Sequence, residues 1–328
     1  MVFLNMLTEK LKDYAEKAAV VKQRFPLRGA QKWVWAICRF VLMAGLSFVI
    51  LYPLLYMASM ALRPLNQILD PSIVWIPKSL TLDNFIKAAE YMGITKLNES
   101  NEIAFNTDLL KNPLIMTALI TIGCTLLQMI SAALAGYGLA RFKFRGRSVL
   151  FALLILSIIV PPQTFIIPLF KQYQTFGILE TYFAMGLPAL FANGIRSGLV
   201  IYIFMQFFKG LPAELEDAAY VDGCGSFKTF LRIIMPNSLP VLVTVFIFSI
   251  VWYWTDYFYS SMFFTGTLSV ALKTVEGKIR DALSTYNPYE IQSVIQAGCL
   301  LLVLPLLIVY LFLQRLFVQS IERTGITG

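Results

Sequence analysis

Histidine is absent from the chain. Proton relays built on imidazole, the commonest metal ligand and Ser-His or Cys-His catalysis are therefore excluded together. Cysteine is scarce: Cys38, Cys124, Cys224 and Cys299 stand far apart, three of them in apolar stretches, with no CxxC or other ligand spacing. They read as small packing residues rather than a disulfide or a metal site. Charge is scarce as well. Only 14% of the 328 residues are charged and 58% are hydrophobic, too little charge to cover the surface of a soluble domain. The sequence holds no GxxxxGK[ST] loop, internal repeat or low-complexity tract, so it carries no nucleotide site of the P-loop kind.

What is present is long apolar runs. Hydrocarbon offers backbone groups no water, so a spanning element needs about 20 mostly apolar residues in a helix. Six runs meet that length: 40–62, 112–140, 148–170, about 181–208 interrupted only by Arg196, 233–255, and 291–314. The first follows a basic stretch but far exceeds the apolar segment of a signal peptide, about 7–15 residues, so it reads as an uncleaved anchor. The expectation is an all-α polytopic membrane protein with six transmembrane helices.

The 27 Lys and Arg against 19 Asp and Glu leave a formal net charge of +8, and their distribution gives direction. One side of the predicted spans holds the Lys and Arg of residues 1–32, Arg141, Lys143, Arg145 and Arg147, then Lys209, Lys228, Arg232, Arg315 and Arg323. The other side is balanced by acids such as Asp70, Asp83, Glu90, Glu180 and Glu290. Both termini are thus expected in the cytoplasm. Attraction to anionic lipid accounts for the basic segments, and nucleic acid is not needed as a partner.

Residues 1–32 are expected to form a basic, amphipathic cytoplasmic segment, residues 33–318 the transmembrane domain and 319–328 a cytoplasmic tail. The external loop of about 63–111 is long enough to dock an external partner.

A cytoplasmic stretch of about 209–236 reads as two short helices around a sharp turn. Pro212 suits a first helical position, and Glu214, Glu216 and Asp217 suit the positive end of a helix dipole. Gly223 or Gly225 suits a left-handed end, and Ser226 an N-cap for a second helix that stops before Pro236. Physics alone allows a plain connector or a hairpin that fits a groove on another protein.

The residues themselves resemble the EAA signature of importer permeases of the ATP-binding-cassette class: Asp217-Ala218-Ala219, three residues, Gly223, nine residues, Ile233, and Met235-Pro236. Asp replaces the usual Glu and Met the usual Leu. The resemblance implies the type I importer fold, with Glu214, Glu216, Asp217, Ala218, Ala219, Gly223, Ile233 and Pro236 in a loop that couples to an ATPase subunit. It also implies ATP and Mg on that separate chain, with no cofactor here and no enzyme activity of this chain's own.

Most of residues 33–328 resembles the carbohydrate branch, in particular the second membrane subunit of maltose-type systems. The carrying features are Pro77 to Phe85, Ala132 to Phe144, Pro161 and Pro168, Leu211 to Leu215, and the tail from Gln314. Ser320 and Thr255 depart from the branch pattern, which bears on the substrate. The resemblance implies a partner permease in a heterodimer, two ATPase copies, an external solute-binding protein and a sugar cargo. It carries a tail contact with the ATPase to Arg323, Gly325 and Gly328.

The run Trp252 to Tyr259 places aromatic rings beside Asp256 within a long hydrophobic stretch. Sugars stack their C–H faces on such rings and hydrogen-bond to carboxylates, so Trp252, Trp254, Asp256 and Tyr257 are candidates for the substrate path, with Trp254 and Asp256 as contacts. An aromatic belt at the outer interface fits the same residues. Arg196 lines the cavity or sits at an interface. The alternatives are an importer of a non-sugar solute and an ion-coupled secondary transporter, for which repeat symmetry and more intramembrane charges are wanted.

Overall fold

The computed structural model describes residues 29–68, 70, 76–97, 103–108, 111–282 and 287–325. The chain divides into two units, Met1–Tyr56 and Met57–Gly328. Within the first, helix α1 (Gly29–Ala61) carries most of the described chain. It contains Pro53 and a ladder of rings in which Tyr52 stacks on Tyr56. The segment expected over residues 1–32 lies almost wholly outside the described residues.

In the second unit, α2 (Asp83–Tyr91) leads to a two-stranded antiparallel hairpin, β1 (Thr95–Leu97) and β2 (Ile103–Phe105), with Lys96 opposite Ala104. The all-α expectation is corrected to this extent. The loop of about 63–111, expected to be external, is knitted together by side-chain amides. Asn84 donates to the carbonyls of Ala61 and Arg63, both at 2.9 Å, satisfying acceptors at the end of α1 that a helix cannot satisfy itself. Asn112 caps α3 (Pro113–Arg141) by accepting from the Leu114 N–H, with Pro113 at the first helical position, and donates to the Asn106 carbonyl just after the hairpin.

The helices that follow are α4 (Arg147–Ile159), α5 (Ile166–Phe176), α6 (Tyr182–Leu190), α7 (Ser197–Gly210), α8 (Glu214–Val221), α9 (Ser226–Asn237), α10 (Leu239–Thr255), α11 (Phe258–Phe263), α12 (Leu268–Ala282) and α13 (Pro288–Gly325). By length and composition, α1, α3 and α13 can each cross a membrane, and two bent pairs, α7 with α8 and α9 with α10, qualify together. The continuous run expected over 148–170 is broken, because Pro161 and Pro162 cannot donate to a helical ladder and a 3-10 turn replaces it at Pro162–Thr164. The run over 181–208 is broken at Ala192–Arg196.

Packing centres on α3. A Cβ added to Gly136 would lie 2.7 Å from the Phe204 Cβ and 3.1 Å from two backbone atoms of α7, so glycine lets the two helices touch. Around that contact Tyr137, Phe204, Phe208, Phe230 and Val245 fill one core. A second core joins α2, α12 and α13 through Ala88, Met92, Leu268, Val275 and Ala297.

Candidate functional site

Two sites stand out, a helical hairpin and a cavity. The hairpin is α8 and α9. Its first helix leaves α7 at 76° and begins at Glu214, two residues after Pro212, with Glu214, Glu216 and Asp217 in the first turn. It ends at Gly223, which sits at φ 77° in the left-handed region. The Gly223 N–H donates to the Tyr220 carbonyl and the Cys224 N–H to that of Ala219, the paired closure that a left-handed glycine makes available.

Ser226 is the first residue of α9 rather than its cap, and Gly225 takes the cap position without a side-chain bond. The helix does not stop before Pro236 as expected. It widens into a π turn over Phe230–Ile234 and runs to Asn237, the wider turn accommodating the N–H that Pro236 lacks.

The hairpin has two faces. Glu216 and Ala219 are buried, whereas Asp217, Ala218 and Gly223 are exposed, as are Glu214 and Pro236; Ile233 is half-buried. Glu216 pairs with Arg141 at the end of α3, Nε to Oε1 at 3.0 Å, and Arg141 also donates to the Leu211 carbonyl at 2.7 Å. Burial pushes the Glu216 carboxyl above its usual range; Arg141 pulls it back, Asp217 adds to the rise and the Tyr137 hydroxyl opposes it. At the tip Val221 is 88% and Phe227 65% exposed, an apolar surface on an otherwise charged loop. Arg141, Val221 and Phe227 were missed in the sequence. A β-branched residue and an aromatic flanking the turn glycine were the available signal.

The cavity, about 750 Å³, lies within the second unit, between the break after α4, the break between α6 and α7, and the segment Trp252–Tyr259. Its size suits a small ligand. Arg196 enters it from a left-handed backbone at φ 53°, with its guanidinium carbon 4.9 Å from the centre of the Trp252 ring. Arg196 lines the cavity, immediately before α7 begins at Ser197.

Behind it lies a closed triangle of hydrogen bonds. The Tyr253 hydroxyl donates to Gln128 Oε1 at 2.5 Å and accepts from the Ile195 N–H at 3.2 Å, while Gln128 Nε2 donates to the Ile195 carbonyl at 2.9 Å. Gly194 is required beside it, since a Cβ there would lie 2.1 Å from the Tyr253 hydroxyl.

Trp252, Asp256 and Tyr257 line the cavity. Trp254 does not. It is buried against α13 and its indole N–H donates to the Leu302 carbonyl at 2.8 Å, so the pairing of Trp254 with Asp256 as joint contacts is corrected. Helical spacing explains this, because residues two apart point to different faces. Asp256 caps α11: its carboxylate accepts from the Ser260 N–H at 2.7 Å, the Ser260 hydroxyl at 2.9 Å and the Tyr259 N–H at 3.3 Å.

Arg323 and Gly325 fall in the last turns of α13, far from the hairpin in sequence, and Gly328 lies outside the described residues. Among the described residues there is no group of three or more Cys, Asp or Glu placed to hold a metal.

Comparison with known proteins adds the following. A family described as "binding-protein-dependent transport system inner membrane component" matches residues 129–323. The chain is 30% identical over 327 residues to the probable ABC transporter permease protein YurM of Bacillus subtilis (strain 168), covering 98% of this chain and 100% of that one. It is 28% identical over 295 residues to the arabinooligosaccharides transport system permease protein AraQ of Halalkalibacterium halodurans, covering 87% and 94%. Among solved structures, a bacterial ABC transporter involved in the import of the acidic polysaccharide alginate superposes with a TM-score of 0.67 at 18% identity, over 88% of this chain and 99% of that one, a likeness of fold.

Proposed function

Because the chain belongs to the family of binding-protein-dependent transport system inner membrane components, permease subunits of bacterial ABC importers, we propose that its cargo is a sugar or oligosaccharide and that the α8–α9 hairpin is where an ATPase subunit drives it. The observation that carries the reading is the hairpin's build. It is bent sharply from α7, anchored to α3 through Arg141 and Glu216, and presents Asp217, Ala218, Val221 and Phe227 outward. A rigid projection tied to two long helices converts a push at its tip into movement of those helices, which a flexible connector cannot do.

In this reading six spans cross the membrane, the first and last being α1 and α13, and both termini face the cytoplasm. The broken runs α4–α5 and α6–α7 supply two of them. A second permease, in a heterodimer, closes the other side of the path. Two ATPase copies bind ATP and Mg, and a solute-binding protein delivers cargo to the external loop around α2 and the β-hairpin. Trp252, Asp256 and Tyr257 belong to the path, with the rings stacking on sugar C–H faces. The end of α13, with Arg323 and Gly325, reaches towards the ATPase together with Gly328. Relatives named for arabinooligosaccharide transport support the sugar cargo. The scarcity of charge in the cavity, Arg196 and Asp256 alone among the described residues, disfavours an ion-coupled machine.

The test is reconstitution with the partner permease, ATPase and binding protein, comparing wild type with Gly223→Asp. Since a Cβ at Gly223 meets nothing within 4 Å, the cost inside this chain is that of a left-handed aspartate, about 1 kcal/mol. The expected result is a folded permease that no longer retains the ATPase. Full retention, with sugar-stimulated hydrolysis unchanged, removes the coupling role from the hairpin.

A further inference from the structure

Ala192 and Arg196 both adopt left-handed backbones, φ 55° and 53°, in the short break between α6 and α7. For residues with a Cβ such a conformation costs roughly 1–3 kcal/mol and persists only where the surroundings enforce it. Here the enforcement is visible. The Gln128–Tyr253 triangle grips both backbone groups of Ile195, and Gly194 lies too close to Tyr253 for any side chain. What the strain delivers is Arg196, projected into the cavity over Trp252.

The guanidinium has no ion pair or hydrogen bond among the described residues. A cation over an indole face is held there without using its N–H donors. The one carboxylate that lines the cavity among the described residues, Asp256, is committed to the Ser260 N–H and hydroxyl and the Tyr259 N–H. In the proposed topology α7 ends at the cytoplasmic face; its 14 residues rise about 20 Å, which then sets Arg196 inside the hydrocarbon thickness of about 30 Å. A fixed cation at that depth calls for an anionic partner.

We propose that Arg196 binds a carboxylate of the cargo, so that the transported sugars are acidic oligosaccharides containing uronic acids. The forked N–H edge of arginine matches a carboxylate in two parallel hydrogen bonds, while Trp252 and Tyr257 offer apolar faces to the ring that bears it. A neutral sugar has no group that compensates the charge. This rests on the importer reading and names the cargo within it.

The experiment uses the four-protein complex in proteoliposomes and measures uptake of trigalacturonate against the same trisaccharide with its carboxyls reduced to alcohols. The binding protein is identical in every assay, so a change of preference between variants reports on the permease alone. Wild type is expected to favour the acidic form at least tenfold, Arg196→Gln to lose that preference, and Arg196→Lys to keep part of it. If Arg196→Gln does not assemble, the ratio for Arg196→Lys decides, and an unaltered wild-type ratio there overturns the bidentate contact. Equal uptake of both sugars by wild type overturns the proposal and leaves the importer reading standing, as does a preference that survives in Arg196→Gln. Release of the partner permease by Arg196→Gln, with Arg196→Lys keeping the full wild-type ratio, assigns the arginine to the subunit seam instead. A wild-type complex in which neither sugar is taken up and no ATPase is retained removes the importer reading, and the acidic cargo with it.

Discussion

The Tyr253 hydroxyl serves two partners at once, donating to Gln128 and accepting from the Ile195 N–H. Tyr253 is 3% exposed and Gln128 fully buried, so water cannot replace it. Tyr253→Phe strands a buried amide oxygen and a buried N–H, at a cost of about 1–3 kcal/mol for each unsatisfied group. The expected outcome is a lower melting temperature for the purified permease and a faster exchange of the Ile195 amide; an unchanged exchange rate shows that the triangle does not hold the Arg196 turn. Glu216 responds to pH for a different reason. Its carboxyl is raised by burial, so its contribution to stability is fully present below the unfolded carboxylate value of about 4.3 and is lost as pH rises through the higher folded value. In thermal melts, Glu216→Gln is therefore expected to gain on wild type from about pH 4.3 upward, after which the two run parallel. A difference that shifts in favour of wild type over that window contradicts the sign. Arg141 makes the other half of the prediction, because replacing it by Ala leaves a buried carboxylate without its partner, worth about 3–5 kcal/mol when ion pairs are broken from one side.

Between elements, the closest approach is that of α3 and α7 at Gly136. Gly136→Val forces a branched side chain against the Phe204 Cβ and the Ile201 carbonyl, neither of which is the free end of a flexible chain. Overpacking of this kind costs about 1–3 kcal/mol. Because α3 carries Arg141 and α7 leads into the hairpin, ATPase retention is expected to fall along with the melting temperature. A melt that drops while coupling stays intact separates packing from coupling. The prolines at 161 and 162 and the strained turn at 192–196 act at this scale too. They turn two apolar runs into pairs of short helices, and the space between the breaks is the cavity.

For the whole molecule the matter is sidedness. In the proposed topology the basic residues at Arg141–Arg147 and in the hairpin face the cytoplasm, and the charge-balanced loop around α2 faces the other side. With the four native cysteines replaced, a cysteine at exposed Val221 is expected to react with a membrane-impermeant maleimide only in inverted vesicles, and one at exposed Thr107 only in intact cells. Reversed labelling overturns the orientation; labelling of both from one side overturns the span count.

Membrane class, the long runs and the hairpin with a left-handed glycine at its turn were all readable from the chain, because apolar length, charge bias and glycine spacing are local properties that survive without neighbours; the choice of Gly223 over Gly225 came from the structure. Family membership was readable for the same reason, since the signature from Asp217 to Pro236 is contiguous. The side chains that face each other were not. Whether Glu216 points at a partner or at Arg141, whether Trp254 or Trp252 faces the cavity, and that Gln128 and Tyr253 meet at Ile195 all depend on residues between 48 and 125 positions apart coming together. Sequence order limits which residues lie on one helix face, but the choice of face belongs to packing, and packing is decided only when α3, α7 and α10 close on one another.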